Sequence, residues 1–565
     1  MYKRQEFYPG YGSSWPIYSG AIGMTFEQSS SRGGAIRRTD GTVHTLQAAA
    51  RGHYAAAWAT TLGTARRREQ RVRDYLSFRQ SAITDAQTTP LRTVVLERDL
   101  QGRADSLVQR LIDNGIEVKR TGAPVQIRNG IAYGASRPTN VTLQHGAYVV
   151  DLAQPQGRLA RALLEPDAPL DSTFIAEELE RRRNGLSERF YDVTAWSFPY
   201  TFRVRAWGMS GTIEGAEPLS GGLIASKSAT LAEGRYGYAF APGSESSLRL
   251  LSGLLADSVR VWYAPRWFRS GQNRFPAGAF VVRVQGNRPN VHATISRLAA
   301  EAGADVAPLA SAGVDEGTDL GSNSVMPLTF PRVALLGGAP VSGGSFGYTW
   351  YTFDQRLRYP VTPLDVSAVT GAALDDFNVL VVPSVGAGAL DRALGDNGRT
   401  RIADWVRAGG VLITLDAATD WLATERLGLA RIRVRRDSAS NGSAPLPVDV
   451  PGAIVNAVGD TLSPLLAGIR PGEMPVLVFT GSVLTAPRDV EPGEAVLRYA
   501  PVDRLRLAGY LWPEAPARIA GAPYLWTESV GRGRIIGFAG DPNFRDLWRG
   551  LMPLFANAVF IGNSF

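Results

Sequence analysis

The sequence predicts a multidomain α/β protein, and three observations support this fold class. The chain has 565 residues, whereas a single domain usually takes about 100–200 residues. Hydrophobic residues make up 44% of the chain and charged residues 20%, which is typical of globular proteins with large cores. From residue 331 onward, apolar strand-like runs alternate with helical patterns. This alternation predicts a parallel sheet with helices on both faces.

The first element is a predicted strand that ends at Glu27. The bulky residues Ile22, Met24 and Phe26 alternate with small residues, which predicts that the bulky face lies in a core. The small-residue face leaves space beside the carboxylate, so a pocket is one interpretation. The alternative is an ordinary acid at a strand end that pairs with a nearby arginine.

A helical region and two small α/β units are predicted next. Residues 42–86 are rich in alanine and lack proline, which predicts one long helix or two helices separated near Gly63. Residues 89–208 contain the strand pattern "LRTVVLE" before the helical pattern "GRADSLVQRLIDNG". Residues 209–328 contain "GAFVVRV" before "NVHATISRLAAEAG", so each range predicts a unit with strands and helices.

Residues 329–565 carry the regular alternation. The predicted strands are "RVALLGG", "FNVLVVPS", "VLITLD" and "GRGRIIGFAG", and helical patterns separate the first three. An amphipathic closing helix is predicted over residues 541–562.

The composition limits the chemistry. Sixty Lys and Arg against 52 Asp and Glu give a net charge of +8, but the excess is spread along the chain, so no nucleic-acid partner is predicted. The chain has no cysteine, which excludes disulfides and thiolate nucleophiles. Its four histidines, His44, His53, His145 and His292, begin no H-x-x-E or H-E-x-x-H pattern. A zinc hydrolase complete within this chain is therefore not predicted.

Three further motifs favour structural roles. The glycine-rich residues 335–347 lack the GK[ST] ending of a phosphate loop. Ser384 follows a buried strand, but it matches no G-x-S-x-G pattern and its domain has no histidine. Asp541 is placed to cap the closing helix. We therefore predict a glycine-rich turn, a loop serine and a helix cap.

The segment "FYPGYGSSWPIYSGAIGMTFEQSSSRGG" (residues 7–34) resembles the last part of the catalytic domain of zinc carboxypeptidases of the M14, carboxypeptidase A-like, family. The following residues 40–61 and 73–83 resemble the closing helices of that domain in large bacterial members. The segments "RIADWVRAGGVLITLDAATDW" and "GRIIGFAGDPNFRDLWRGLMPLFANAVF" resemble the C-terminal regions of those members. The last region is similar to the class I glutamine-amidotransferase-like, or flavodoxin-like, fold.

The resemblance implies a set of functional residues. Glu27 would be the catalytic general base, which takes a proton from a zinc-bound water and passes it to the leaving amine. Tyr8 would contact the substrate, and Arg32 would help to hold a substrate carboxylate. Residues 1–88 would be the C-terminal remnant of the peptidase domain, and the substrate would be a peptide or protein.

The sequence also departs from this family. The H-x-x-E pair and the later histidine that bind zinc are absent, so we expect the chain to be the C-terminal fragment of a longer enzyme. This fragment is expected to be inactive and to bind no zinc, which the full-length enzyme would hold. Export to the periplasm or the outside is implied by the family alone. The alternative is a non-catalytic protein that binds a peptide or glycan.

Overall fold

The computed structural model describes residues 8–99, 101–122, 124–219, 231–371, 374–435, 450–459, 463–469, 472–479 and 483–565. Three large sheets organise the chain after residue 90, with seven, five and ten strands. No helix in the described ranges is long and apolar enough to cross a bilayer.

The N-terminal region contains a small hairpin and two long helices. Its elements are β1 (Ala35–Arg37), β2 (Val43–Thr45), α1 (Leu46–Arg66) and α2 (Arg68–Gln87). The helical region is therefore two helices, but they are separated at Arg67 rather than at Gly63. None of the residues of α1 is buried, and the buried residues of α2 are Ala82 and Ala86.

The predicted strand before Glu27 is wrong for this structure. Residues 21–31 have no regular secondary structure, and the bulky side chains of Ile22, Met24 and Phe26 are 61%, 51% and 51% exposed. A strand needs neighbours that satisfy its backbone groups and cover its apolar face. No strand pairs with this segment among the described residues. The alternation of bulky and small residues in the sequence is therefore not accompanied by a β-sheet.

The first α/β unit has a seven-stranded antiparallel sheet in the order β6-β5-β8-β3-β7-β4-β9. Its elements are β3 (Thr93–Glu97), α3 (Arg103–Asp113), β4 (Lys119–Arg120), β5 (Val125–Ala132), β6 (Pro138–Leu143), β7 (Ala147–Asp151), α4 (Gly157–Leu164), α5 (Ser172–Arg183), α6 (Phe198–Thr201), β8 (Ala206–Met209) and β9 (Glu217–Pro218). The helix α3 packs an apolar face that includes Leu107 and Leu111 into the core of this unit.

The second unit has a five-stranded antiparallel sheet in the order β15-β10-β14-β11-β17 and a small sheet in the order β13-β12-β16. Its elements are β10 (Gly237–Phe240), α7 (Glu245–Ala256), β11 (Trp262–Ala264), β12 (Phe268–Ser270), β13 (Asn273–Phe275), β14 (Ala279–Arg283), α8 (Val291–Ala302), β15 (Ala307–Leu309), β16 (Glu316–Gly317) and β17 (Met326–Pro327). The helices α7 and α8 pack against each other.

The C-terminal domain is built on the ten-stranded sheet. Its elements are β18 (Val333–Gly337), α9 (Gly343–Tyr351), β19 (Thr362–Asp365), β20 (Val379–Val382), α10 (Ala387–Arg407), β21 (Val411–Leu415), α11 (Ala417–Leu422), β22 (Arg433–Val434), β23 (Ala453–Gly459), β24 (Glu473–Val478), β25 (Leu484–Thr485), β26 (Ala495–Tyr499), β27 (Arg506–Ala508), α12 (Ala515–Ile519), β28 (Pro523–Val530), β29 (Gly533–Phe538) and α13 (Met552–Phe560). The strands β19-β18-β20-β21-β29 are parallel. Antiparallel strands β28, β26, β23 and β24 extend the sheet.

The parallel part confirms the fold class predicted from the sequence. In chain order its strands are arranged 2-1-3-4-5, the flavodoxin-like order. Alternate strand residues enter two separate cores. One core contains Leu335, Val381 and Ile413, and the other contains Leu336, Leu380 and Leu412. Because both faces are covered, β18, β20 and β21 are mostly apolar rather than alternating.

The closing helix differs from its prediction. The structure has a helix only over Met552–Phe560, and all nine of its residues are buried. This helix packs against α7 of the second unit and lies in the core that also contains strand residues of the parallel sheet. Because it is covered on all sides, the prediction of an amphipathic helix is wrong.

Candidate functional site

The three residues implied by the family resemblance occupy different surroundings. Glu27 is exposed in the segment without regular structure, and Arg32 is exposed in the bend that follows it, with a positive φ of 30°. The ring of Tyr8 packs edge-on against Trp196 with centroids 6.3 Å apart. The guanidinium of Arg545 lies 4.7 Å from the Tyr8 ring centroid. Burial raises the pKa of Tyr8, so its side chain is already engaged by distant parts of the chain.

The described residues do not fit a catalytic zinc ion. They contain no group of three His, Cys, Asp or Glu side chains that could hold a metal. The Nε2 atom of His44 is 2.9 Å from the backbone oxygen of Ser29. The Nδ1 atom of His292 is 2.7 Å from the hydroxyl of Tyr238. These two imidazoles therefore serve local contacts in separate units.

A cluster of serine and aspartate side chains lies at the carboxyl edge of the parallel sheet. It includes the loops after β18 and β20, where the strand order reverses and where ligands usually bind in this fold. Ser345, in the first turn of α9, donates a hydrogen bond to Oδ2 of Asp541 at 2.6 Å. The backbone N–H of Ser384 donates to Oγ of Ser345 at 3.0 Å. The hydroxyl of Ser384 donates to Oδ2 of Asp416 at 2.7 Å. Four loops that follow four parallel strands thus meet in one network.

Asp416 adopts an unusual backbone conformation. It lies between β21 and α11 with φ 52° and ψ −128°, a region that side chains other than glycine rarely occupy. Sharp strand-to-helix turns of this kind also present nucleophiles in other α/β proteins. Here the turn presents a carboxylate to Ser384. Strained residues of this kind cluster at functional sites.

Asp541 is the buried acid of this network. Only 8% of its surface is exposed, and burial raises its pKa to about 7, with the nearby negative charge of Asp416 contributing. Its other oxygen accepts a hydrogen bond from the backbone N–H of Asn543 at 2.9 Å. The prediction that Asp541 caps the closing helix is wrong, because that helix begins at Met552.

The chemistry of this network is limited by its members. Residues 329–565 contain no histidine, so Ser384 has no imidazole base in its own domain. The glycine-rich turn after β18 leads into α9, where Ser345 binds a carboxylate. A carboxylate at this position disfavours an anion at the start of α9. The network therefore fits a structural junction that titrates near neutral pH.

A second candidate site is a cleft between the first α/β unit and the antiparallel part of the large sheet. The cleft has a volume of about 350 Å³, which lies within the usual range of ligand sites. Its aromatic and charged lining residues are Glu97, Asp99, Arg103, Tyr133, Tyr200, Arg203, Arg205, Trp207 and Glu473. The sequence patterns gave no signal for this cleft, because its residues come from separate strands and loops.

No family model and no curated protein matches the chain. Among solved structures, it is similar to a cytoplasmic protein of Salmonella typhimurium at 12% identity and TM-score 0.27, covering 40% of this chain and 99% of that chain. It is similar to a ThuA-like protein of Bacteroides uniformis at 15% identity and TM-score 0.27, covering 40% and 89%. A glutamine amidotransferase of Thermotoga maritima is similar at 11% identity and TM-score 0.27, covering 40% and 97%. Similarities this low say nothing about the activity of this chain.

Proposed function

We propose that this chain is the C-terminal part of a zinc metallocarboxypeptidase of the M14 type, with Glu27 as the general base, and that it is inactive by itself. Tyr8 and Arg32 are proposed to contact the peptide substrate. The zinc ligands are proposed to lie in a part of the enzyme outside the present sequence, because the described residues do not fit zinc.

The observation that carries this proposal is the concentration of exposed apolar side chains in the N-terminal region that contains Glu27. Of the 21 exposed large hydrophobic side chains among the described residues, 12 fall within residues 17–76. The residues Ile22, Met24 and Phe26 alternate as in a strand, yet they are exposed. We infer that this N-terminal region packs against another part of the functional protein, since exposed apolar surface marks interaction sites. The proposed cover is the zinc-binding half of the same peptidase domain.

The upstream coding sequence provides the first test. The proposal requires an H-x-x-E pair and a later histidine before the segment of residues 7–34. A reading frame that extends upstream without these residues would remove the assignment.

The longer polypeptide provides the second test. Release of C-terminal amino acids from peptides, measured with zinc present, is expected for the longer polypeptide and not for the present chain. Glu27→Gln is expected to lower kcat by roughly 10²–10⁴-fold, the usual contribution of a general base. Glu214→Gln, at an exposed acid far along the chain, is the control and should keep full activity. Full activity of Glu27→Gln would refute the role of Glu27.

A second candidate function, non-catalytic binding of a peptide or glycan, is favoured by the interdomain cleft. The cleft combines aromatic rings with both signs of charge, as specific ligand sites do. Ligand-induced stabilisation of the present chain without added zinc, measured as a rise in Tm, would support this function. The two functions can coexist, since the cleft and Glu27 lie in different parts of the chain.

A further inference from the structure

We propose that the interdomain cleft binds a neutral sugar unit. This inference rests on the second candidate function and names the ligand class of that same cleft. It follows from the balance of charge in the lining, from the aromatic rings in the wall and from the polar groups at the rim.

The charges of the lining cancel. Three arginines and three acidic residues face the cleft, namely Arg103, Arg203, Arg205, Glu97, Asp99 and Glu473. Arg205 pairs with Glu97 at 2.8 Å, and Arg103 pairs with Asp99 at 3.7 Å. A ligand with a net charge would have to compete with these pairs and would find no excess of the opposite charge. The lining therefore favours a neutral ligand.

The wall contains the partly buried ring of Tyr133 beside the buried rings of Tyr200 and Trp207. The rings of Tyr133 and Tyr200 are 5.8 Å apart and tilted by 55°. The hydroxyl of Tyr133 donates to the backbone oxygen of Leu164, and Tyr200 is 6% exposed. Because Tyr200 is buried and Tyr133 is only partly buried, Tyr133 is the ring that presents carbon surface to the cleft. The C–H face of a pyranose ring packs well against such a surface.

The rim carries donors and acceptors within reach of solvent. The side chain of Arg205 is 66% exposed and that of its partner Glu97 is 21% exposed. Glu473 is also exposed, and its backbone oxygen accepts a hydrogen bond from Nε of Arg203 at 3.4 Å. A sugar hydroxyl both donates and accepts, so it can bind a guanidinium and a carboxylate at once. A neutral, hydroxyl-rich ligand with one apolar face meets all three features.

Saturation-transfer NMR and titration calorimetry on the present chain test this inference. The probes are glucose, galactose and N-acetylglucosamine, with the zwitterion glycylglycine and the anion inorganic phosphate as comparisons. At least one sugar is expected to bind saturably. Ala132→Trp places a bulky ring at the lining position of Ala132, and it is expected to weaken sugar binding by roughly tenfold or more.

Arg205→Gln is a second variant in case the tryptophan disturbs the fold. Its matched control is Arg297→Gln, at another exposed arginine that pairs with an acid at 2.8 Å. Arg205→Gln should weaken sugar binding, and Arg297→Gln should not. Sugar binding that both cleft variants leave intact would overturn the inference.

The comparison probes distinguish a failure of the sugar assignment from a failure of the proposal that the cleft binds a ligand. Glycylglycine that binds in the cleft, while no sugar does, would overturn the sugar assignment and retain the cleft as a peptide site. Phosphate binding alone would overturn the argument from balanced charge. If none of the probes binds, the sugar inference fails and the binding function loses its support from the cleft. The peptidase proposal is decided separately by Glu27.

Discussion

The hydroxyl of Ser345 donates a 2.6 Å hydrogen bond to the carboxylate of Asp541, although 196 residues separate the two in sequence. This bond connects the first turn of α9 to the loop that follows β29. The same hydroxyl accepts the backbone N–H of Ser384, and Ser384 in turn binds Asp416. The loops of β18, β20, β21 and β29 are therefore held together by side chains at the edge where this fold places its sites.

The first prediction concerns the pH dependence of stability. Because burial raises the pKa of Asp541 from 3.8 to about 7, the folded chain binds more protons than the unfolded chain between these values. The contribution of Asp541 to the free energy of unfolding is therefore fully present below about pH 4 and is lost as the pH rises toward 7. The effect of one group over this range is up to ~4 kcal/mol. Denaturant unfolding of wild type and Asp541→Asn should show that this loss of stability disappears in the variant.

Two variants sharpen this test. Asp416→Asn removes a negative charge that contributes to the raised pKa of Asp541. The pKa of Asp541 should therefore be lower in this variant, and the loss of stability with rising pH should be smaller and end at a lower pH than in wild type. Asp40 has the opposite sign, because hydrogen bonds from Thr42 lower its pKa. Asp40→Asn should remove stability that is present at neutral pH and lost in acid. A pH profile of Asp541→Asn that parallels wild type would contradict the assignment.

More of the fold than of the serine and aspartate network could be predicted from the sequence. The strands β18, β20 and β21 are mostly apolar runs, and their alternation with helices indicates a parallel sheet without knowledge of any contact. The network depends on strand order, which brings distant loops together. Its only sequence signal was position, since Ser384 and Asp416 each follow the carboxyl end of an apolar run.

The strand predicted before Glu27 shows that a clear sequence pattern can also predict an element that the structure lacks. Its alternation was clear in the sequence, but a strand forms only when neighbours satisfy its backbone and cover its apolar face. Ile22 and Phe26 have no such cover. A local alternating pattern therefore indicates only a preference for a strand, and the strand forms only where neighbouring strands and a core are present.

The second prediction concerns the backbone of Asp416. Glycine relieves the strain of φ 52° and ψ −128°, a benefit of about 1–3 kcal/mol, but it also removes the acceptor of the Ser384 hydroxyl. In a Ser384→Ala background that hydroxyl is absent, so Asp416→Gly should raise the free energy of unfolding. The control is Asp365→Gly, at a residue with φ −70°, which should lower it because glycine relieves no strain there and the hydrogen bonds from Ser367 are lost. Destabilisation by Asp416→Gly in that background would show that the strain is not relieved.

The third prediction concerns the ion pair between Arg545 and Asp192. It joins the C-terminal domain to the segment after α5 at 2.8 Å, and the side chain of Asp192 is 3% exposed. Arg545→Ala leaves the buried carboxylate with its hydrogen bonds from Tyr11 and Val193 but without its cationic partner, so it should destabilise the chain by up to about 3–5 kcal/mol. The pair of Arg297 and Asp257 has the same distance of 2.8 Å but is 53% and 45% exposed. Arg297→Ala should cost no more than ~1 kcal/mol, and equal losses in the two variants would contradict the effect of burial.

The fourth prediction tests the apolar surface of the N-terminal helices. Trp58 is 58% exposed, and its ring stacks on Tyr54 with centroids 6.5 Å apart and planes inclined by 8°. Because little apolar area is covered there, Trp58→Ala should change the free energy of unfolding of the present chain by no more than ~0.5 kcal/mol.

Trp421 provides the matched contrast, because the same residue type is fully buried there and Trp421→Ala should cost about 3–5 kcal/mol. In a longer polypeptide that contains the zinc-binding half of the domain, Trp58 is expected to lose exposure, so Trp58→Ala should then cost clearly more than in the present chain. Differential scanning calorimetry of both lengths measures this change. An unchanged effect of Trp58→Ala would mean that the added segment does not cover α1, and the surface that supports the peptidase proposal would need another partner.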